Sequence, residues 1–227
     1  MLLLTDTASD SQAVYPAPGQ PLRTRDAERS QGAILDAALQ EFATSGLGGA
    51  RMESIAARAN VNKRLLYYYF ASKEALFLAV LEHCYAHIRD AEQRLRLEDL
   101  QPPAAVRRLI AFTWNYYLAN PHFLVLLNSE NLHRARHLQH SSRIEELNSP
   151  LVAMLDQVVR RGQQQRLFRD GVDAVQLYIS IAGLCYFYLS NNATLSTVFG
   201  RDLHAPDALA ERLSHISDVV MGYLERR

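Results

Sequence analysis

The 227-residue sequence predicts an all-α fold. Past residue 24, apolar residues recur at intervals of three and four, which is the spacing of one face of a helix. No stretch shows the two-residue alternation of a half-buried strand, and Pro and Gly residues divide the periodic stretches into segments of helical length. We therefore expect an N-terminal unit of three helices followed by a larger C-terminal helical unit.

The composition is that of a globular chain, with 48% hydrophobic and 21% charged residues. The 24 Lys and Arg balance the 24 Asp and Glu, so any affinity for nucleic acid has to come from a local basic patch. No apolar stretch reaches the ~20 residues of a membrane span, and the N-terminus lacks the basic flank of a signal peptide. Cys84 and Cys185 lie in apolar helical contexts and indicate buried thiols in a cytoplasmic protein.

The N-terminal part begins with a non-periodic stretch, residues 1–22, which is rich in Pro, Gly, Ser, Thr and Gln and is predicted to be a flexible arm. From Arg25 the helical spacing begins, and it ends at Ser45 and Gly46. The glycines that follow predict a bend over residues 46–49.

Three further helices follow this bend. Two short ones are predicted over residues 52–59 and 62–69, and a long one over residues 72–97. Ser72 can cap the long helix, and Glu74 lies in its first turn, where the helix dipole favours a negative charge.

The rest of the chain has helical spacing as well. Pro102 and Pro103 open one helix, and Asn120 with Pro121 breaks the chain again. Residues 175–189 are apolar on more than one face, so this helix needs covering on several sides, and a second subunit is one way to cover it. The predicted C-terminal helices are residues 104–119, 122–138, 144–165, 173–192 and 206–226.

The strongest local signal is the segment of residues 52–76, which fits a helix-turn-helix. Ile55 and Leu66 are predicted to face the core, and the small Ala56 allows the two helices to cross closely. The turn falls at Asn60, where a left-handed backbone is expected. Asn is the residue that tolerates this conformation best after Gly.

The second helix of this motif carries candidate DNA-binding residues. Asn62 can cap the helix, and Lys63 and Arg64 lie in its first turn, the part that enters a major groove. Either cation can donate to a phosphate or to the O6 and N7 atoms of guanine. Lys73, at the start of the next helix, adds a charge beside free backbone N–H groups and is predicted to contact phosphate.

Three consecutive tyrosines end this helix: Tyr67, Tyr68 and Tyr69. Because successive helical positions point about 100° apart, the three rings cannot share one core-facing site. We expect at least one to face outward and to donate to phosphate. The alternative interpretation is an aromatic core cluster over residues 67–70 with a rim of solvated cations.

These residues resemble the N-terminal pattern of the TetR family of transcriptional repressors over residues 27–81. Ala50 departs from the pattern, because a capping Thr is usual there, and Arg51 can replace the phosphate contact but not the cap. The positions that match are Ile55, Ala56, Val61, Tyr67, Tyr69, Phe70, Ser72, Lys73 and Leu76.

The resemblance implies a dimer that binds double-stranded operator DNA of near-palindromic sequence and is released by a small-molecule inducer. It implies a DNA-binding domain over residues 23–78 and a ligand-binding and dimerisation domain over residues 79–227. The last two helices would pair with their copies as a four-helix bundle. The inducer would tilt the helix of residues 72–97, so that the spacing of the two recognition helices no longer fits the operator.

The inducer pocket would lie within residues 103–192. Several residues there place aromatic surface beside polar groups, as small-molecule sites do, although each alone is also compatible with an ordinary core position. The candidate ligand-binding residues are Trp114, Tyr117, Phe123, Asn128, Tyr178 and Tyr186.

A metal site is a further hypothesis for residues 130–140, where Glu130, His133, His137 and His140 occur at spacings of three, four and three. Arg134, Arg136 and Arg143 crowd the same segment and would repel a cation, which favours a solvated basic surface. We therefore expect no metal and no cofactor.

Catalytic motifs are not found in the sequence. It contains no Gly-rich phosphate loop, no H-E-x-x-H, no G-x-S-x-G and no paired C-x-x-C, so we do not expect an enzyme. The alternative to DNA binding is an α-helical module in which the helix-turn-helix contacts a protein partner.

Overall fold

A computed structural model describes residues 24–225, and within this range the regular secondary structure is helical, as predicted. The only β-type pairing there is an isolated bridge between Phe168 and Glu225. The predicted arm, residues 1–22, lies outside the described residues. The α-helices are α1 (Thr24–Gly49), α2 (Met52–Arg58), α3 (Lys63–Tyr69), α4 (Lys73–Gln93), α5 (Pro102–Ala119), α6 (Pro121–Leu132), α7 (Ser142–Gln164), α8 (Ala174–Ser190), α9 (Asn192–Phe199) and α10 (Pro206–Leu224), and single 3-10 turns span Leu97–Asp99 and Leu138–His140.

The N-terminal helices pack around a small apolar core. Helix α1 lies against α2, α4 and α6, so it connects the helix-turn-helix to the rest of the protein. The rings of Phe42 in α1 and Phe77 in α4 meet edge to face, with centroids 5.1 Å apart. Gly46 has φ of 66° and ψ of 170°, which kinks the end of α1 at the predicted bend.

Two predicted helix ends were wrong, for reasons of local backbone conformation. Helix α4 ends at Gln93 instead of residue 97, because the chain turns and Arg96 adopts a left-handed conformation with φ of 49°. Helix α6 ends at Leu132 instead of residue 138, because Arg134 and Ala135 both have positive φ. None of these residues is a glycine, so the residue types at these positions did not indicate where α4 and α6 end.

The C-terminal helices enclose the main core. Helix α5 packs against α7, α8 and α10, and α7 also packs against α4 and α8. Helix α9 follows α8 after a break at Asn191 and was not predicted as a separate helix. At the end of α7, the ring of Phe168 occupies the space where a side chain at Gly162 would lie. The core is continuous from the helix-turn-helix to α10, so the domain boundaries stay a prediction.

Both cysteines are buried, as predicted, and burial raises the pKa of the Cys84 and Cys185 thiols to about 12. Neither thiol therefore ionises near neutral pH. Within residues 24–225, none of the helices combines the length and the apolar character needed to cross a bilayer.

Candidate nucleic-acid interface and small-molecule cavity

The helix-turn-helix has the geometry that its sequence predicts. Ile55, Ala56 and Leu66 are buried where α2 and α3 cross. Asn60 has φ of 52°, which is the left-handed turn expected of it. The turn is closed by the Val61 N–H, which donates to the carbonyl oxygen of Ala56 at 3.0 Å.

Each of the two helices is stabilised at its start in a different way. The Asn62 side chain accepts a hydrogen bond from the Leu65 N–H at 2.7 Å and caps α3, as predicted. Helix α2 begins after Arg51 without a side-chain cap, in agreement with the loss of the usual Thr at Ala50. The Arg51 N–H donates instead to the Glu41 carboxylate at 3.2 Å, so a helix α1 side chain satisfies this backbone group.

The cations at the start of α3 are exposed. Lys63 forms an ion pair with Glu53 of α2, and its ammonium lies 5.8 Å from the centroid of the Tyr67 ring. The hydrogen bond between the pair lowers the pKa of Glu53 and raises that of Lys63, so both groups stay charged near neutral pH. Arg64 has no such ion pair among the described residues, and its exposed guanidinium is free to reach a ligand.

The three tyrosines differ in exposure, which confirms that they do not share one core-facing site. Tyr68 is 76% exposed and Tyr67 is 42% exposed, so both face solvent. Tyr69 is half-buried and lies against Phe70 of the core. The core-cluster interpretation therefore holds for Tyr69 and Phe70 and fails for the other two tyrosines.

Lys73 is already engaged within the protein. Its ammonium donates to the carbonyl oxygens of Gly48 and Ala50, both at 3.2 Å, and so closes the loop that precedes α2. An ammonium carries three N–H donors, which leaves one for a phosphate. Arg51 lies exposed beside this loop.

A second candidate site is a cavity of about 380 Å³ between α4, α5, α6 and α8. Four of the predicted ligand-binding residues line it: Tyr117, Phe123, Tyr178 and Tyr186. The wall is therefore rich in aromatic side chains, and its tyrosines come from three helices, α4, α5 and α8.

The other two predicted residues do not line this cavity. The Asn128 side chain accepts a hydrogen bond from the Tyr186 hydroxyl and donates to Ser190 at 2.8 Å, so it holds Tyr186 in place from behind. Trp114 is buried in the core against Tyr188, with ring centroids 5.7 Å apart. The prediction that Trp114 faces a ligand finds no support in its position.

The cavity contains a charged residue that sequence reasoning missed. Arg89 of α4 is buried, lines the cavity, forms an ion pair with Glu92 and donates to the Tyr178 hydroxyl at 2.7 Å. Burial raises the pKa of Glu92 to about 7, because Arg89 offsets only part of the cost of removing the carboxylate from water. Arg89 follows Tyr85, another residue of the cavity wall, by four positions, and this spacing is the signal that could have identified it.

The histidine-rich segment after α6 has a structural role. Among the described residues, no three His, Cys, Asp or Glu side chains come together as metal ligands. Glu130 is buried and accepts hydrogen bonds from the backbone N–H groups of His137 and Leu138, at 2.8 and 3.0 Å, and its other oxygen lies 2.6 Å from Nδ1 of His137. The interpretation of a solvated basic surface is therefore wrong for Glu130 and His137.

Two family models match the chain. The model described as bacterial regulatory proteins, tetR family, matches residues 34–80, which include α2 and α3. The model described as tetracyclin repressor-like, C-terminal domain, matches residues 102–220, which include the predicted ligand-binding residues.

Similar proteins agree with these models. The chain is 42% identical to the HTH-type transcriptional repressor NicS of Pseudomonas putida over 205 residues, covering 90% of this chain and 97% of NicS. It is 31% identical to the HTH-type transcriptional repressor SCO4008 of Streptomyces coelicolor, covering 72% of this chain and 80% of that protein. The crystal structure of SCO4942 from Streptomyces coelicolor has the same fold, with a TM-score of 0.64 and 23% identity over 87% of this chain and 99% of that chain. The chain belongs to the TetR family, whose members are transcriptional regulators and not enzymes.

Proposed function

We propose that the protein is a dimeric repressor that binds a near-palindromic operator in double-stranded DNA and is released by a small-molecule inducer. The observation that carries this proposal is the exposure of α3. Its buried Leu66 holds the helix on α2, while its first turn presents Lys63 and Arg64 to solvent. A helix with a basic, exposed N-terminal turn is what a major groove accepts.

The contacts with DNA divide by chemistry. Lys63 and Arg64 reach base edges, and Lys63 exchanges its ion pair with Glu53 for a DNA acceptor. The remaining contacts go to phosphate and position the helix without reading sequence. These phosphate contacts come from Arg51, Asn62, Tyr67, Tyr68 and Lys73, whereas Tyr69, although predicted at the sequence level, supports the helix from the core side.

An apolar surface on α8 and α10 supports the dimer. Large hydrophobic side chains on these two helices are exposed in the single chain, although they occupy the faces expected to pack in a four-helix bundle. A second copy of the chain would cover them. They are Val175, Ile179 and Phe187 on α8 and Val219 and Tyr223 on α10.

Helix α4 connects the cavity to the DNA-binding surface. It starts directly after α3, and its side chains Tyr85, Ile88 and Arg89 line the cavity. A ligand that displaces these side chains tilts α4 and moves α3 relative to its copy, which changes the half-site spacing. On this proposal, residues 23–78 form the DNA-binding domain and residues 79–227 the ligand-binding and dimerisation domain of a cytoplasmic protein.

A gel-shift assay with the DNA that flanks the protein's own gene tests DNA binding. We expect retardation at low salt, and a loss of at least about fivefold in affinity for Arg64→Ala, because removing a base contact costs about 1–3 kcal/mol. The matched control is Arg58→Ala, an exposed cation on α2 outside the proposed contacts. If neither the wild type nor the variants retard this DNA, the alternative of a protein-interaction module is favoured.

A further inference from the structure

The chemistry of the cavity is set by a buried cation among tyrosines. Arg89 lies on one wall, and the rings of Tyr85, Tyr117, Phe123 and Tyr178 surround the space beside it. Cationic side chains are rarely buried this deeply without a specific partner. The cavity therefore places a positive charge next to flat apolar surface.

Arg89 and Tyr178 do not use all of their hydrogen-bond donors within the protein. Nη1 of Arg89 donates to Glu92, and Nη2 donates to the Tyr178 hydroxyl. Nε of Arg89 is buried and has no acceptor among the side chains that the structure describes. The Tyr178 hydroxyl accepts from Arg89, and its own proton has no acceptor within the described residues. The N–H at Nε of Arg89 and the O–H of Tyr178 are therefore donors without acceptors, and Oε1 of Glu92 is a buried acceptor without a donor. Unpaired donors beside a cavity are costly unless a ligand supplies acceptors.

Building on the proposed function, we propose that the inducer is a small aromatic carboxylate whose carboxyl group binds Arg89 and Tyr178. A carboxylate has two acceptor oxygens in one plane, which suits one N–H of a guanidinium and one neighbouring hydroxyl. The ring of the ligand packs against the cavity wall that Tyr117 and Phe123 form together. A cationic ligand would be repelled by Arg89, and a neutral one would leave its charge unused.

Glu92 allows an anion to enter although it already neutralises Arg89. It lies away from the cavity, against the apolar side chains of Leu147, Leu151 and Met154 of α7. The charged group that acts on it is Arg89 on its own helix. Burial first, and Glu92 in addition, raise the pKa of three nearby phenols, Tyr116 and Tyr117 on α5 and Tyr178 on α8, which stay neutral near pH 7. Its raised pKa, about 7, means that Glu92 takes up a proton when a ligand carboxylate becomes the counterion of Arg89. The affinity for an aromatic acid is therefore expected to rise as the pH falls from 8 to 6.

Calorimetric titration of the full chain with matched probes tests the ligand class. The probes are benzoate and 2-naphthoate, their neutral amides, and cyclohexanecarboxylate. We expect an acid of one of the two ring sizes to bind at least about tenfold more tightly than its amide and than cyclohexanecarboxylate. Amides that bind as tightly as the acids, or no binding of either aromatic acid, would overturn the proposal.

Variants test the residues. Arg89→Met is expected to abolish the preference for the aromatic acid over its amide. Tyr178→Phe, which keeps the ring, is expected to lower the affinity for the aromatic acid by about fivefold. The matched control is Tyr116→Phe, because Tyr116 bonds His87 outside this cavity and its loss should leave the affinity unchanged. If Arg89→Met does not fold, Tyr178→Phe is the deciding variant. An unchanged ratio of acid to amide affinity in Tyr178→Phe would contradict the proposal.

Gel shifts with the same protein separate this proposal from the proposed function. If aromatic acids bind in a manner that depends on Arg89 but do not release the DNA, the proposed ligand class is supported and the proposed release of DNA by an inducer is contradicted. If the DNA is released only by a neutral amide, the function stands and the carboxylate proposal fails.

Discussion

Two ion pairs of the same chemical type lie in opposite surroundings in this protein. Lys63 and Glu53 join α3 to α2 at the surface, where their side chains are 54% and 64% exposed. Arg89 and Glu92 are both on α4 in the protein interior, with Arg89 at the cavity, and their side chains are 5% and 1% exposed. Water can replace either partner of the first pair at little cost, whereas the second pair has no such substitute. The surface pair is thus available for exchange with DNA, and the buried pair is a fixed part of a site.

The largest difference between the two ion pairs is expected in their contribution to the stability of the fold. Arg89→Ala leaves Glu92 buried and unpaired and should reduce the free energy of unfolding by about 3–5 kcal/mol. Denaturant unfolding followed by circular dichroism measures this. Lys63→Ala is the matched surface variant and should leave the midpoint unchanged. Equal denaturation midpoints for Arg89→Ala and Lys63→Ala would show that the buried ion pair matters no more for stability than the exposed one.

The two carboxylates should also respond to pH with opposite signs. The pKa of Glu92 is raised to about 7, so the folded state binds its proton more tightly than the unfolded chain, and this contribution to stability is lost as the pH rises from about 4.5 through 7. The pKa of Glu53 is lowered, so its contribution is lost as the pH falls through the acidic range. A shift of this size for Glu92 corresponds to about 3 kcal/mol.

Unfolding free energies measured from pH 4.5 to 8 in Glu92→Gln test this difference. The variant keeps an acceptor for Arg89 but cannot titrate, so the decline in stability between pH 4.5 and 7 should disappear. Glu74→Gln, at an exposed position of the same helix, serves as the control. A slope that persists in Glu92→Gln would assign the titration to another group.

Operator affinity should be sensitive to the surface region and insensitive to the buried one. Arg64→Ala and Lys63→Ala should each weaken binding by about 1–3 kcal/mol and change the sequence preference. Tyr178→Phe should leave the affinity for DNA unchanged when no ligand is present, because it lies inside the cavity. Fluorescence anisotropy with a panel of operator variants measures both properties. A change in the operator sequence preference of Tyr178→Phe would show that the cavity influences base recognition by α3 even without a ligand, which contradicts this expectation.

The smallest expected effect concerns Lys73. Because two carbonyl oxygens already hold its ammonium, Lys73→Ala should weaken all operators alike and only a few-fold, and it should lower the salt dependence by about one ion. Anisotropy titrations at several salt concentrations measure the slope. An unchanged affinity and slope would restrict Lys73 to bracing the loop before α2.

The parts of the fold that could be predicted are those that depend on neighbours in sequence. Asn60, Asn62 and Ser72 take the turn and cap positions assigned to them, because each acts on backbone groups within about four residues. The ends of α4 and α6 could not be predicted, because residues without a marked turn preference adopt the left-handed conformation there. At Glu130 the reason is visible: a buried carboxylate binds the backbone that follows the helix.

The sequence by itself determined the helical class, the helix-turn-helix and the exposed basic turn of α3, because these follow from spacings of a few residues. Only the tertiary structure decided that Arg89 and Tyr178, 89 positions apart, share one hydrogen bond, and that Trp114 belongs to the core. Burial of a charge depends on which distant helices cover it, and periodicity along one helix does not contain that information.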